Sequence, residues 1–126
     1  MSKVCIVTGA SRGLGRGIAK VLAEERSATV YATARSEAAL NDLASSIKGN
    51  AGVIHPVVLD HSDDSAVEKF ITTVAKKERR IDLLVNSAYG GLTAMTPHFG
   101  KPFWERPISV FDASIDIGLR LSLIHI

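Results

Sequence analysis

The residues whose types and spacing could do chemistry stand near the start of the chain, in Thr8-Gly9-Ala10-Ser11-Arg12-Gly13-Leu14-Gly15. Glycines spaced this way suit a chain that must turn sharply and leave its backbone N–H groups open to an anion. Gly9 can turn the chain, Gly13 has no side chain to hold a pyrophosphate away from the backbone, and Gly15 lets a following helix pack close. The chemistry is phosphate binding at a helix N-terminus, where free N–H groups and the positive end of the helix dipole favour negative charge. A P-loop would close its turn with Gly-Lys-Ser or Gly-Lys-Thr, and Gly15-Arg16-Gly17 stands there instead.

A second group of candidates follows the stretch Ala28-Thr29-Val30-Tyr31-Ala32-Thr33-Ala34. In a dinucleotide-binding βαβ unit an acidic residue at the end of this strand accepts the 2′-hydroxyl of NAD and repels the 2′-phosphate of NADP. Here the strand ends in Ala34 and Arg35, and with Arg12 two guanidinium groups are available for one phosphate. NADP(H) is therefore expected over NAD(H), against the plainer alternative of two solvated surface arginines. Asp60 is a third candidate, and it shares with Ser62 and Asp63 the simpler role of a helix cap. Neither His55 nor His61 has a companion at metal-ligand spacing, so no metal site is expected, and His98 reads as a loop histidine.

These residues need strands and helices to hold them. Val4-Cys5-Ile6-Val7-Thr8 is β-favouring, and Leu14, Ile18, Val21 and Leu22 recur at helical spacing after the glycine turn. Ser36 is the expected N-cap of a helix carrying Leu40, Leu43 and Ile47, ended by Lys48-Gly49-Asn50. Gly52 to Leu59 reads as a strand covered on both faces, and Pro56 argues that it lies at the sheet edge. Val67, Phe70, Ile71 and Val74 give the next helix its core face, and Lys76-Lys77-Glu78-Arg79-Arg80 its solvated end. Ile81 to Asn86 is a fourth strand, whose end joins the ligand side of an open α/β sheet. The aromatic residues Phe99, Phe103 and Trp104 are expected to pack over that strand and wall a substrate cleft, and Ile108, Val110, Phe111, Ile115 and Leu119 mark a final helix. The expected fold class is α/β, a Rossmann-type doubly wound parallel sheet in the order 3-2-1-4, expected to be truncated with its C-terminal half missing.

Composition narrows the function classes. At 126 residues, 46% hydrophobic and 22% charged, the chain is one globular domain or a piece of one. A net charge of +2 with scattered Lys and Arg gives no support for nucleic-acid binding. Cys5 is alone, excluding a disulfide framework, and it is read as a small buried hydrophobe. No apolar run approaches the ~20 residues of a membrane span, and no signal peptide is read before the first strand, so a cytoplasmic location is expected.

In its order T-G-x-x-x-G-x-G the phosphate turn resembles the short-chain dehydrogenase/reductase family. Asn86-Ser87-Ala88-Tyr89-Gly90-Gly91 is similar to that family's N-N-A-G segment: Asn86 and Ala88 match, Ser87 replaces the second Asn, and Tyr89-Gly90 replaces the single Gly. The inserted Tyr, with Lys101-Pro102-Phe103-Trp104-Glu105 and Ile117-Gly118-Leu119-Arg120, is similar to one subgroup of the family. The resemblance runs from residue 3 to about residue 120. It implies that Asp60 hydrogen-bonds the adenine amino group, that Asn86 supports the central strand, and that Asp116 stands where the family has a helix Asn holding a water of the proton relay. Motif and resemblance together propose Thr8, Gly9, Ser11, Arg12, Gly13, Leu14, Gly15, Arg35, Asp60, Asn86 and Ala88 as cofactor-binding residues.

What the family's chemistry would further need is a Ser and a Tyr-x-x-x-Lys pair, in which the cation lowers the pKa of the phenol. The tyrosines are Tyr31 and Tyr89, and four residues after them stand Arg35 and Thr93. The expectation is therefore residues 1–120 as the N-terminal part of one NAD(P)-binding domain, inactive as written. Residues 121–126 are expected to be a non-native tail, because Leu121-Ser122-Leu123-Ile124-His125-Ile126 reads as a translated sequencing-library adapter. The longer parent would take a small carbonyl or alcohol substrate, with homo-oligomeric assembly left open. The competing reading is a non-catalytic dinucleotide-binding or interaction protein, and in-frame downstream Ser and Tyr-x-x-x-Lys residues would separate the two.

Overall fold

A computed structural model describes residues 2–49, 52–90 and 94–120. The expectations for Asn50 as a helix stop, for Gly91, and for the tail 121–126 fall outside the described residues. The elements in order are β1 (Val4–Thr8), α1 (Gly13–Arg26), β2 (Thr29–Ala34), α2 (Glu37–Ser45), β3 (Val53–Val58), α3 (Asp64–Glu78) and β4 (Leu83–Asn86). The four strands are parallel in the order β3-β2-β1-β4, as the sequence implies.

Every residue of β1 is buried, because it is an inner strand with helices over both faces. Its alternating side chains divide between two cores. Cys5 and Val7 join Val30 and Ala32 of β2, Ala19 and Ala23 of α1, and Leu40 and Leu43 of α2. Val4 and Ile6 join Tyr31 and the α3 residues Val67, Phe70 and Val74 on the opposite face.

The sequence signals for α2 and α3 hold locally. The Ser36 hydroxyl accepts the Ala39 N–H at 3.3 Å, and the Asp63 carboxylate accepts the Ala66 N–H at 3.0 Å, so Asp63 is the α3 cap and Asp60 is free of that duty. Helix α2 stops at Ser45, so Ile47 packs from beyond its end. Strand β3 lies at the edge, as Pro56 requires, yet it is not covered on both faces: Val53 and Val58 are exposed. An edge strand has no neighbour beyond it to carry a helix over its outer rim. Strand β4 begins at Leu83 rather than Ile81. Asp82 instead docks the chain to β1, accepting the Val4 N–H at 2.8 Å with its carboxylate and donating its own N–H to the Val4 carbonyl.

After β4 come two 3₁₀ turns (Thr96–His98 and Phe103–Glu105), then α4 (Ile108–Ser114), which runs into a π-helical turn (Ile115–Leu119). The expected aromatic wall is absent. Phe103 and Trp104 are 78% and 73% exposed and meet each other edge to face, with ring centroids 5.3 Å apart. The expected apolar stripe of the final helix is likewise exposed at Ile108, Phe111 and Leu119, and only Val110 is buried. A seven-residue helix presents about two turns, too few to bury a whole stripe. Half-buried Ile117 is its link to the α3-side core, and Arg120 forks onto the Asp64 carboxylate at the start of α3. Among the described residues no helix is long and apolar enough to cross a membrane.

Candidate functional site

The C-terminal ends of the strands open into a cleft of about 550 Å³. Its first wall is the β1–α1 turn. Gly9 has a φ of +65°, and a Cβ there would stand 2.7 Å from the Ala88 Cα; a Cβ on Gly15 would stand 2.3 Å from the Gly9 carbonyl oxygen. Helix α1, the glycine turn and the chain leaving β4 are thus stacked backbone on backbone. Gly13 differs: its φ is +60°, but a Cβ would meet nothing within 4 Å, so the space beside it is open to a ligand.

Arg12 is the N-cap residue of α1 and its side chain caps nothing. The first N–H groups of α1 therefore lack the side-chain acceptor that Ser36 and Asp63 give α2 and α3. Arg12 and Arg35 are exposed at the cleft rim, and neither forms an ion pair among the described residues. Arg16, one turn along, is engaged: its guanidinium holds the Asp42 carboxylate at 2.9 Å and ties α1 to α2.

The second wall follows β3. The Asp60 carboxylate accepts both the Ser62 hydroxyl (2.7 Å) and the Ser62 N–H (2.9 Å). These two bonds, helped by the nearby charges of Arg35 and His61, hold Asp60 below the usual carboxylate range, so it is an acceptor at neutral pH. His61 turns inward and is 5% exposed, with its Nε2 2.8 Å from the Thr33 hydroxyl. The third wall is Ser87 to Gly90, joined by Ile117 from the π turn; the Tyr89 hydroxyl lies 3.1 Å from that of Ser114.

Of the residues proposed from sequence, Gly9, Ser11, Arg12, Gly13, Leu14, Gly15, Arg35, Asp60 and Ala88 line this one cleft. Thr8 and Asn86 do not. Thr8 is fully buried, and its hydroxyl accepts the Ser87 and Ala88 N–H groups, both at 3.1 Å, while facing the Val85 carbonyl at 3.4 Å. It holds the third wall in place. Asn86 is exposed at the end of β4.

Sequence reasoning missed Ala34, His61, Ser87, Tyr89, Gly90 and Ile117 as lining residues. Four of them adjoin motif residues at strand ends, a signal that could have been used; His61 was weighed only as a metal ligand. Among the described residues no three His, Cys, Asp or Glu side chains gather into a metal site. Tyr31 is not a ready acid–base group. Tyr31 faces α3, donating to Glu78 Oε1 at 2.6 Å, and burial followed by that carboxylate's bond and charge pushes its phenol up to about 12.

A family model described as short chain dehydrogenase matches residues 3–119. The chain is 43% identical over 119 residues to the mouse "Dehydrogenase/reductase SDR family member 1", covering 94% of this chain and 38% of that protein. It superposes on a metagenomic short-chain oxidoreductase solved in complex with NADP with a TM-score of 0.84 at 32% identity, covering 99% of this chain and 54% of the other. For an alcohol dehydrogenase from the archaeon Thermococcus sibiricus complexed with 5-hydroxy-NADP, the TM-score is 0.81 at 26% identity, covering 99% and 50%. The chain thus spans between about two fifths and half of the length of these relatives. With the family model running almost end to end over a parallel 3-2-1-4 sheet, the chain belongs to the short chain dehydrogenase family.

Proposed function

We propose that residues 1–120 are the cofactor-binding part of an NADP-dependent oxidoreductase acting on a small carbonyl or alcohol. The carrying observation is that α1 alone of the three long helices lacks a side-chain cap, and that its open end faces a cleft rimmed by Arg12 and Arg35. In this reading the free N–H groups of α1 take the pyrophosphate in the open space beside Gly13, and the two arginines take the 2′-phosphate. Asp60 accepts the adenine amino group, and Thr8 keeps Ser87 and Ala88 in place at the other end. Both solved relatives above carry an NADP-type cofactor, which supports the reading.

When bound, the cofactor supplies the hydride of the reaction. The present residues bind and orient it. The Tyr31 phenol is pushed up rather than down, donating to Glu78 although Lys77 lies over its ring, and Tyr89 has Thr93 rather than a Lys four positions on. Asp116, exposed on the π turn near Arg120, is proposed to modulate the proton relay of a longer chain.

The test is titration of the 126-residue chain with NADPH and NADH, followed by near-UV circular dichroism or a thermal shift. Arg35→Ala is expected to weaken NADPH by about 1.5–3 kcal/mol, roughly 10- to 150-fold, the worth of a hydrogen bond to a charged group, and to leave NADH unchanged. Equal loss for both would overturn the NADP preference. An assay of NADPH oxidation with a panel of aldehydes and ketones is expected to show no turnover, and measurable turnover would overturn the reading of the chain as binding part alone.

A further inference from the structure

We propose that His61 is a positioning residue that fixes Asp60 against the adenine ring and so selects cofactors whose base carries an exocyclic amine; this rests on the reading above that Asp60 takes the adenine amino group.

The chain leaves β3 through Leu59, Asp60 and His61, of which only Asp60 is exposed. The Leu59 N–H is still bound to the Ala34 carbonyl of β2 at 2.9 Å. Asp60 and His61 both line the cleft, Asp60 exposed and His61 buried, with His61 Nε2 2.8 Å from the Thr33 hydroxyl. Thr33 is fully buried in β2, and its carbonyl accepts the Ala10 N–H of the glycine turn at 3.0 Å. One buried residue thus holds the phosphate turn through its backbone and the acidic turn through its side chain.

The Ser62 bonds orient the Asp60 carboxylate relative to its own loop, but nothing in them fixes that loop relative to the sheet. The Leu59–Ala34 bond ties the loop to the sheet on one side of Asp60, and the His61–Thr33 bond ties it on the other. A buried imidazole must recover by hydrogen bonding what it loses in hydration, so an aliphatic side chain would fill this place at lower cost if packing were all that was needed. What the imidazole adds is direction. A hydrogen bond weakens steeply with angle, whereas an aliphatic contact lets the loop slide. A carboxylate that must meet one amine on a planar base needs that restraint.

The probe is the pair NADPH and its hypoxanthine analogue, which has a carbonyl where adenine has the amine. Their affinity ratio is measured on the 126-residue chain, because a merely structural role for His61 would weaken both cofactors equally and leave the ratio alone. The unmodified chain is expected to prefer NADPH by roughly tenfold, as loss of a hydrogen bond to a charged group implies. His61→Leu is expected to bring the ratio to within about twofold of unity, the residue of that tenfold left when the carboxylate is no longer aimed. Thr33→Val, which exchanges the hydroxyl for a methyl of similar size, should do the same and decides the matter if the histidine variant does not fold. His61→Gln, whose amide can still reach Thr33, should retain part of the preference. If the unmodified chain binds neither cofactor or does not discriminate, the adenine role of Asp60 falls and this inference with it. If it discriminates and Asp60→Ala abolishes the preference, but His61→Leu and Thr33→Val keep it, the inference about His61 alone is overturned.

Discussion

The part of the molecule up to α3 and the part after β4 are built by opposite means. In the first, long helices lie on both faces of three strands, and side chains such as Ile6, Leu40, Leu43, Val30 and Val67 are wholly removed from water. In the second, short helical turns follow one another along the chain, and Phe99, Phe103, Trp104, Ile108 and Phe111 stand in solvent. The difference follows the cleft. Its end at the glycine turn is defined by backbone packing around the uncapped start of α1, while its far end has Tyr89, Gly90 and Ile117 for a wall. Phe99, Phe103, Trp104 and Phe111 are not among the residues that line the cleft.

The sharpest way to break the comparison is to truncate one large side chain in each part. Leu43→Ala, in the core between α2 and the sheet, is expected to cost about 2–5 kcal/mol in urea denaturation, the range for a buried leucine and the cavity it leaves. Trp104→Ala, despite removing a larger side chain, should change stability by about 0.5 kcal/mol or less, as exposed positions do. Comparable losses would mean that the aromatic residues are packed in solution. A smaller effect tests the open helix end. Arg12 has extended backbone at the N-cap position, with φ −157° and ψ 169°, so Arg12→Asp can supply the missing cap. It should raise stability by about 1 kcal/mol while abolishing the NADPH response, and a variant both more stable and equally responsive would remove the phosphate role of this site.

The smallest expected effect concerns the α3 face. Tyr31 is pushed up to about 12 by burial and by Glu78, so its folded value lies above the unfolded one near 10. The stability this linkage contributes is present below pH ~10 and is lost as pH rises toward 12. Titration of phenolate absorbance should show a late step that Tyr31→Phe removes and Glu78→Gln moves to lower pH. If no step lies above the ordinary tyrosine range, the Tyr31–Glu78 bond is not kept in solution.

How much of this was legible beforehand differs residue by residue. The glycine turn was, because Gly9, Gly13 and Gly15 each answer to a backbone constraint that no other residue meets. Ser36 as a cap and Pro56 as an edge marker were legible for the same local reason. The sheet order was read from Pro56 and the βαβ pattern together. The inward turn of His61 was not legible, since its partner Thr33 lies 28 positions away in sequence. The exposure of Phe103 and Trp104 was not either: an apolar residue declares a preference for burial, but only the surrounding surface determines whether there is anything to be buried against. Thr8 was placed among the ligands because it opens the motif, and its actual duty to the Ser87 and Ala88 N–H groups depends on β4 lying alongside β1.

The stack of Gly15 on Gly9 and of Gly9 on Ala88 has a consequence for what the two glycine positions can accept. With no side chains between the layers, their spacing is set by the thickness of the peptide backbone itself, which neither rotates nor compresses as a packed leucine can. The arrangement fixes the separation of α1 from the chain leaving β4. A side chain added at Gly9 or Gly15 would therefore have to push the start of α1 away from the chain leaving β4, because the atoms it meets are backbone.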